Sequence, residues 1–342
     1  MPNWPMVGVA GARGMVGGVF LSILADAGLP ADRMRAFGTK AGRIGFGANE
    51  IDLAVLTDDT ARGLAVLFLA TDAAVSREIV AGPGAGVPLI IDNSSAFRLD
   101  PTVPLVVPEA NAGVVAGLSP RLVANPNCTT AAAVIALAPI RDLAGLESVD
   151  VASYQAVSGA GRPGVDAFIA ERGSDHRQRA VDSPFSGRIA DNVVPQIDIL
   201  DDQGSSGEER KVIAELRKIL WLPGLDVAAT TVRVAVLTGH SIVIHLRTAR
   251  ETTVSEIEAA LRNAPGLEYR PADGSEGHPM PLDVEGRDPV LVGRLRALPG
   301  RERGFALFVV SDNLRKGAAL NAIQVAATVD PERFGPLVPA SR

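Results

Sequence analysis

Residues 5–20, PMVGVAGARGMVGGVF, join a short apolar run to a glycine-punctuated turn and then to a second apolar stretch. Gly8, Gly11, Gly14 and Gly17 recur at every third position. Glycines so placed permit a tight turn and a close approach of backbone to a phosphate, which the unpaired N–H groups of a helix N-terminus attract. The spacing is G-x-x-G-x-x-G, not the commoner G-x-G-x-x-G. Its position, after a first strand and opening a helix over about 14–27, is what a dinucleotide turn requires. A glycine-rich turn without ligand is the plainer alternative.

Outward from this turn, apolar runs follow at Met34–Phe37, Ile51–Leu56, Ala65–Thr71, Val87–Asp92 and Leu105–Val107, with helix-like stretches such as Asp72–Ala81 between some of them. Short apolar strands alternating with helices or long connections predict a largely parallel, doubly wound α/β sheet over about the first 127 residues. After a helix at 129–143 the pattern changes. Longer β-branched runs appear at Ser148–Ser158, Val227–Val236, Ser241–Arg247, Pro289–Leu298 and Phe305–Val310. They predict an antiparallel or mixed sheet in a second, α+β domain. The amphipathic stretch Leu314–Thr328 reads as a helix able to pack back on the first domain. Residues 174–206 and 270–288 read as polar loops.

The composition narrows the function classes. With 47% hydrophobic residues in 342, a large two-domain core is possible. A net charge of −6 with interspersed signs offers no basic field for nucleic acid. One cysteine excludes an intrachain disulfide framework and fits a reducing compartment. Arg13 followed by GMVGGVFLSILADAG imitates a signal peptide, but Val7–Ala10 already reads as a strand ahead of the basic residue. No apolar run is long enough for a membrane span. The expectation is a cytoplasmic protein without membrane or nucleic-acid partners.

That single cysteine, Cys128 in ANPNCTTAAA, sits where an apolar segment gives way to an alanine-rich helix. A thiol at a helix N-terminus feels the positive end of the macrodipole, which favours thiolate. A lone cysteine is more often a small buried hydrophobe, and the polar flank Asn125-Pro126-Asn127 argues against that. A nucleophilic thiol needs a base. Of the four histidines, His176 and His278 lie in polar stretches and His245 within a strand, whereas His240 occupies a turn between two strands. Seven residues earlier, Arg233 stands in an otherwise apolar strand. Such an arginine needs an anion, either a carboxylate substrate or an internal Asp or Glu.

Further candidates are Gln155, where a strand meets Ser158-Gly159-Ala160-Gly161, and Arg98, beyond a strand's C-terminal end in DNSSAFR. Glu208 and Lys211 are one helical turn apart, a spacing most often found on a solvated face. After the second strand, Thr39, Lys40 and Arg43 stand where an NAD-selective site would carry an acid. A hydroxyl with two cations suits a 2′-phosphate, hence NADP.

In order along the chain, GxRGMVG, DNSSAFR, ANPNCTT, YQAVSGAG, the EExK helix, VRVxVxxGHS and DNLRKGAALNAIQ resemble the aspartate-β-semialdehyde dehydrogenase family over nearly the whole length. The cysteine motif followed by YQxxSGAG and VRVxVxxGHS is the specific part. The resemblance implies a Rossmann-like NADP-binding domain (1–127 with 315–342). It also implies a catalytic and dimerisation domain over 128–314, glyceraldehyde-phosphate-dehydrogenase-like in fold, and a homodimer.

It further implies NADP-dependent reductive dephosphorylation of L-4-aspartyl phosphate to L-aspartate 4-semialdehyde, run reversibly through a cysteine thioacyl intermediate in lysine, threonine and methionine biosynthesis. The roles implied are Cys128 as nucleophile, His240 as acid/base and Gln155 as the group that holds the reacting substrate. Arg233 would bind the α-carboxylate and Glu208 the ammonium; Arg98 and Lys211 would bind phosphate, a co-substrate. Asn127 would assist the oxyanion. Arg13, Gly14, Met15, Val16, Gly17, Thr39, Thr71, Ser158, Gly159 and Asn313 would line the cofactor, with Lys40 beside them. No metal is implied. One departure is Ala235, where the family commonly has proline. Two alternatives stay open: N-acetyl-γ-glutamyl-phosphate reductase, whose acylated substrate has no ammonium, and a non-catalytic dinucleotide-binding paralogue.

Overall fold

The computed structural model describes residues 4–175, 177–271 and 273–340, so His176 lies outside the described residues. The chain forms two compact units. One runs from the N-terminus to Asn127 and takes in the segment from Ala318; the other runs from Cys128 to Gly317.

The first unit is the expected doubly wound α/β sheet. Its strands are β1 (Val7–Ala10), β2 (Met34–Phe37), β3 (Gly42–Phe46), β4 (Asn49–Ala54), β5 (Val66–Leu69), β6 (Ile90–Asp92) and β7 (Leu122–Ala124). They lie in the order β3-β4-β2-β1-β5-β6-β7. All neighbours are parallel except the β3/β4 hairpin. Both faces are covered because alternate residues point to opposite sides. Val7, Val9, Val66 and Phe68 join a core with Phe20 and Leu24 of the helix Met15–Asp26 and with Leu320, Ile323 and Val325 of the C-terminal helix. Ala10, Leu67 and Leu69 join a second core with Ile79 and Val80 of the helix Ala73–Ala81. Burying each such large side chain contributes about 1.5–3 kcal/mol.

Strand order reverses at β1, so the crevice beside the C-terminal ends of β1 and β5 is the ligand position of such sheets. Gly11 lies there at φ +76°, and a Cβ on it would collide with the Ala70 carbonyl oxygen. A Cβ on Gly17 would collide with the Gly11 carbonyl oxygen. Only glycine permits this fold of the turn.

Two expectations are corrected. Leu105–Val107 makes only an isolated bridge, Leu105 to Ala124, and the seventh strand is β7. The presumed basic loop after β2 continues at Gly42 into β3, whose Arg43 pairs with Glu50 at 3.2 Å and Asp52 at 2.8 Å. Those acids come from β4, so the pairing is invisible until the hairpin forms.

The second unit is α+β. Its strands are β8 (Ser148–Gln155), β9 (Val193–Val194), β10 (Asp226–Val234), β11 (His240–Arg247), β12 (Leu267–Tyr269), β13 (Val290–Ala297) and β14 (Gly304–Ser311). The order is β12-β13-β14-β11-β8-β10-β9. The sheet is mixed: β8 and β10 run parallel, while β11 is antiparallel to β8 and β14. One face is covered by the helices Cys128–Ala144, Gly207–Ile219 and Val254–Arg262. The other carries Asp150 and Tyr154, exposed, and Val243, His245 and Phe308, half-buried. The expected C-terminal helix begins later than its amphipathic pattern suggests. Arg315–Ala319 is a π-helical turn, and the α-helix runs from Leu320 to Val329.

Candidate active site

Three adjacent strands of the second unit bring their side chains to one end of the sheet. Gln155 ends β8, Arg233 lies directly beside it near the end of β10, and His240 opens β11. Alternation puts Gln155 and Arg233 on the helix-covered face, 1% and 5% exposed. His240, read from sequence as part of a turn, is the first residue of its strand and has no exposed surface. The preceding Gly239 holds φ +93°, with Pro281 3.0 Å from where a Cβ would sit.

Ala156 ties two of these groups together through its backbone. Its N–H donates to His240 Nδ1 at 3.1 Å, and its carbonyl accepts from Arg233 Nη1 at 2.6 Å. Gly159 closes the same wall: a Cβ there would stand 2.6 Å from Arg233 Nη1 and 3.2 Å from His240 Nε2. Neither Ala156 nor Phe185 is legible as functional in the sequence. The Phe185 ring lies 5.9 Å from the Arg233 guanidinium carbon. No carboxylate of the described residues lies within ion-pair distance of Arg233, so the internal salt bridge is absent there. Burial lowers its proton affinity, opposed by the charges of Cys128 and Glu208. Burial first, and then the Arg233 charge, hold His240 well below the ordinary imidazole range.

The helix carrying Glu208 begins at a capping box in which Ser206 and Glu209 satisfy each other's backbone N–H groups. Glu209 also accepts from Thr231 N–H on β10 at 3.0 Å, which pins this helix end to the strand. Glu208 is therefore not on a solvated face. It is 7% exposed and accepts from Gln155 Nε2 at 3.1 Å. Ser153 donates to Gln155 Oε1 at 3.0 Å, which fixes the amide's orientation. Lys211 Nζ lies 2.7 Å from Asp198 and 3.9 Å from Glu208.

Cys128 is the first residue of its helix and is partly buried. Gly317 makes room for it, since a Cβ there would lie 2.8 Å from the cysteine's Cβ. Asn313 accepts from Gly239 N–H at 2.9 Å and donates to Ser158 Oγ at 3.0 Å, joining three segments beside His240.

The remaining candidates belong to the first unit. Met15 opens its helix after Gly14, which offers no side-chain cap, and Arg13, Thr39 and Lys40 are exposed. Thr71 bonds Ser76 at 2.8 Å just past β5. Arg98, 8% exposed, donates to the carbonyls of Asn125 at 2.8 Å and Asn93 at 2.6 Å. Among the described residues no cluster of His, Cys, Asp and Glu could hold a metal, and no helix is long and apolar enough to cross a membrane.

Residues 6–117 match the family model for the semialdehyde dehydrogenase NAD-binding domain, and residues 137–316 that for the semialdehyde dehydrogenase dimerisation domain. The aspartate-semialdehyde dehydrogenase of Streptomyces akiyoshiensis is 41% identical, over 96% of this chain and 99% of its own length. The chain belongs to the aspartate-semialdehyde dehydrogenase family. Its relative from Aquifex aeolicus is 36% identical over 94% of this chain and 96% of that protein. The structure of aspartate semialdehyde dehydrogenase II from Vibrio cholerae complexed with ASA superposes with a TM-score of 0.90 at 32% identity, covering 97% of this chain and 100% of that one. The family supplies a nicotinamide-binding domain and a dimerisation domain, on the same two stretches that fold into the parallel and mixed sheets.

Proposed function

We propose that the chain catalyses the reversible NADP-dependent reductive dephosphorylation of L-4-aspartyl phosphate to L-aspartate 4-semialdehyde, as a cytoplasmic enzyme of lysine, threonine and methionine biosynthesis. The observation that carries this reading is Arg233. It is a buried guanidinium without a carboxylate partner among the described residues, electrostatically coupled to both Cys128 and Glu208. An amino-acid substrate bears one carboxylate and one ammonium, and a buried Arg beside a buried Glu is the complementary pair.

Cys128 attacks the aldehyde carbon, and oxidation leaves a thioacyl group on its sulfur. Phosphate, held by Arg98 and Lys211, then displaces the thiolate. Gln155 positions the substrate, Asn127 assists the oxyanion, and His240 serves the reacting oxygen. The cofactor fits the first unit's turn, because the Gly11/Gly17 cradle leaves no room for a Cβ and the helix behind it has no side-chain cap. NADP, when bound, would supply the hydride acceptor, and NADPH the hydride in the biosynthetic direction. Arg13 to Gly17 and Thr71 line it; Ser158, Gly159 and Asn313 are the further cofactor contacts of this proposal. Thr39 and Lys40 receive the 2′-phosphate with Arg43, which is half-exposed and shared with Glu50 and Asp52. The open sheet face of the second unit receives the same face of a second copy, giving a homodimer.

The decisive assay is phosphate-dependent NADP reduction with L-aspartate semialdehyde, with NAD in parallel. NADP is expected to be preferred, and absence of turnover with either cofactor overturns the reading. Glu208→Gln is expected to lower kcat/KM for the aldehyde about 10²-fold, because the ammonium loses a buried counter-charge. Wild-type kinetics in this variant would favour an N-acylated substrate instead. Gly159→Ala pushes a methyl group against Arg233 and His240. It is expected to lower kcat/KM by about 10²-fold, since small misplacements of a reacting group have effects of that size. An unchanged rate would remove Gly159 from the site's wall.

A further inference from the structure

Arg233 is buried, and no carboxylate of the described residues pairs with it. A guanidinium in that position needs another source of stabilisation. Two groups of the second unit supply it. The Ala156 carbonyl accepts Nη1 at 2.6 Å, and the guanidinium carbon stands over the Phe185 ring, 5.9 Å from its centre. An aromatic face is electron-rich and attracts a cation, the more so away from water. A carboxylate would take the N–H groups along the edge of the guanidinium. A ring takes its face and leaves that edge for an anion.

The ring is carried by residues 173–192, which contain neither helix nor strand among the described residues and owe their shape to side chains. Glu171, 1% exposed near the end of the helix Gly161–Arg172, accepts the backbone N–H groups of Ala180 at 3.0 Å, Ile189 at 2.7 Å and Ala190 at 3.0 Å. Its carboxylate thus clasps the chain on both sides of Phe185. Arg188 donates back to the Glu171 carbonyl at 2.8 Å, and Arg179 donates to the carbonyl of Phe185 itself. The ring tip rests on a glycine: a Cβ on Gly164 would come within 3.1 Å of Phe185 Cζ. Removing the Glu171 carboxylate would leave three N–H groups without their acceptor. No step of the proposed reaction uses this carboxylate.

We propose that Phe185 is a positioning residue for the α-carboxylate of the substrate. Its ring, set in place by Glu171, stabilises the Arg233 charge without neutralising it and holds the guanidinium edge open. The proposal rests on the function proposed above, in which Arg233 binds that carboxylate. An acidic side chain in this place would compete with the substrate, and an aliphatic one would stabilise the charge less and let the guanidinium turn.

The test varies the ring and then its support, in full-length enzyme. Fluorinated phenylalanine in place of Phe185 withdraws electrons from the face with little change of shape. KM for aspartate semialdehyde is expected to rise with each added fluorine, and by about 5–30-fold in Phe185→Leu, while KM for phosphate and for NADP stays within about twofold. A KM for the aldehyde that ignores fluorination, or an equal rise in all three values, overturns the proposal. Glu171→Gln alone is expected to raise the same KM about 3–10-fold and to add nothing in the Phe185→Leu background, since it acts through the ring. A full additional effect there contradicts the part given to Glu171. Should Glu171→Gln fail to fold, the fluorine series still decides the part of Phe185. Absence of wild-type turnover removes the functional reading; normal turnover with a flat fluorine series removes this proposal alone.

Discussion

Cys128→Ala is expected to lower kcat for phosphate-dependent NADP reduction by at least about 10⁴-fold, the scale on which loss of a covalent nucleophile acts. The sequence holds no other cysteine, so no neighbouring thiol can substitute. Gly317 leaves room for the Cβ and Cα of Cys128, and alanine keeps both. The fold is therefore expected to survive, with Tm within about 4 °C of wild type, and the loss to be chemical. Cys128→Ser is expected to be nearly as slow, since an alkoxide is harder to form and a poorer leaving group than a thiolate. Steady-state kinetics together with mass spectrometry of the acylated protein checks this. A Cys128→Ala enzyme with wild-type turnover would leave a non-catalytic dinucleotide-binding protein as the better reading.

Arg233→Lys is expected to reduce kcat/KM for aspartate semialdehyde by about 10²–10³-fold, or about 3–4 kcal/mol at 1.4 kcal/mol per tenfold. Arg233 places Nη1 on the Ala156 carbonyl and faces the Phe185 ring, which leaves its other N–H groups for a carboxylate. A lysine ammonium is a single point of charge and cannot hold the backbone carbonyl and grip both carboxylate oxygens. The loss is expected to fall on the aldehyde, while KM for phosphate and for NADP stays within about threefold, because other residues are assigned to those ligands. Kinetics with each substrate varied in turn reads the difference. Equal increases in all three KM values would mean that Arg233 supports the unit's structure and not the carboxylate.

Much of the architecture was legible along the chain because it rests on local signals. The third-residue glycines locate the turn after β1, and β-branched runs locate β8, β10, β11, β13 and β14. The short β3 was not legible. Its residues, GRIGF, include two glycines and are mostly exposed, and they become a strand only by pairing with β4. The same pairing gives Arg43 two carboxylate partners that the linear sequence does not show. At the site, Arg233 stands out as a charge in an apolar strand, Cys128 as the single cysteine at a helix start, Gln155 at a strand end and His240 beside a turn. Ala156 does not, because it acts through its backbone N–H and carbonyl, which every residue but proline possesses.

The two-unit α/β architecture is written in the chain itself, and the chain also singles out Cys128 as a candidate nucleophile; the proposed roles of Arg233 and Glu208 rest on the family resemblance. The architecture follows from periodicity and the order of apolar runs. Folding alone settles which of these groups are buried and which already have partners. Burial places Glu208 on Gln155 when its spacing alone suggested a solvated face. Strand register sets Arg233 beside Gln155 and aims the Ala156 N–H at His240. Burial and charge pairing depend on distances between residues far apart in the chain, and those distances exist only once the sheet has formed.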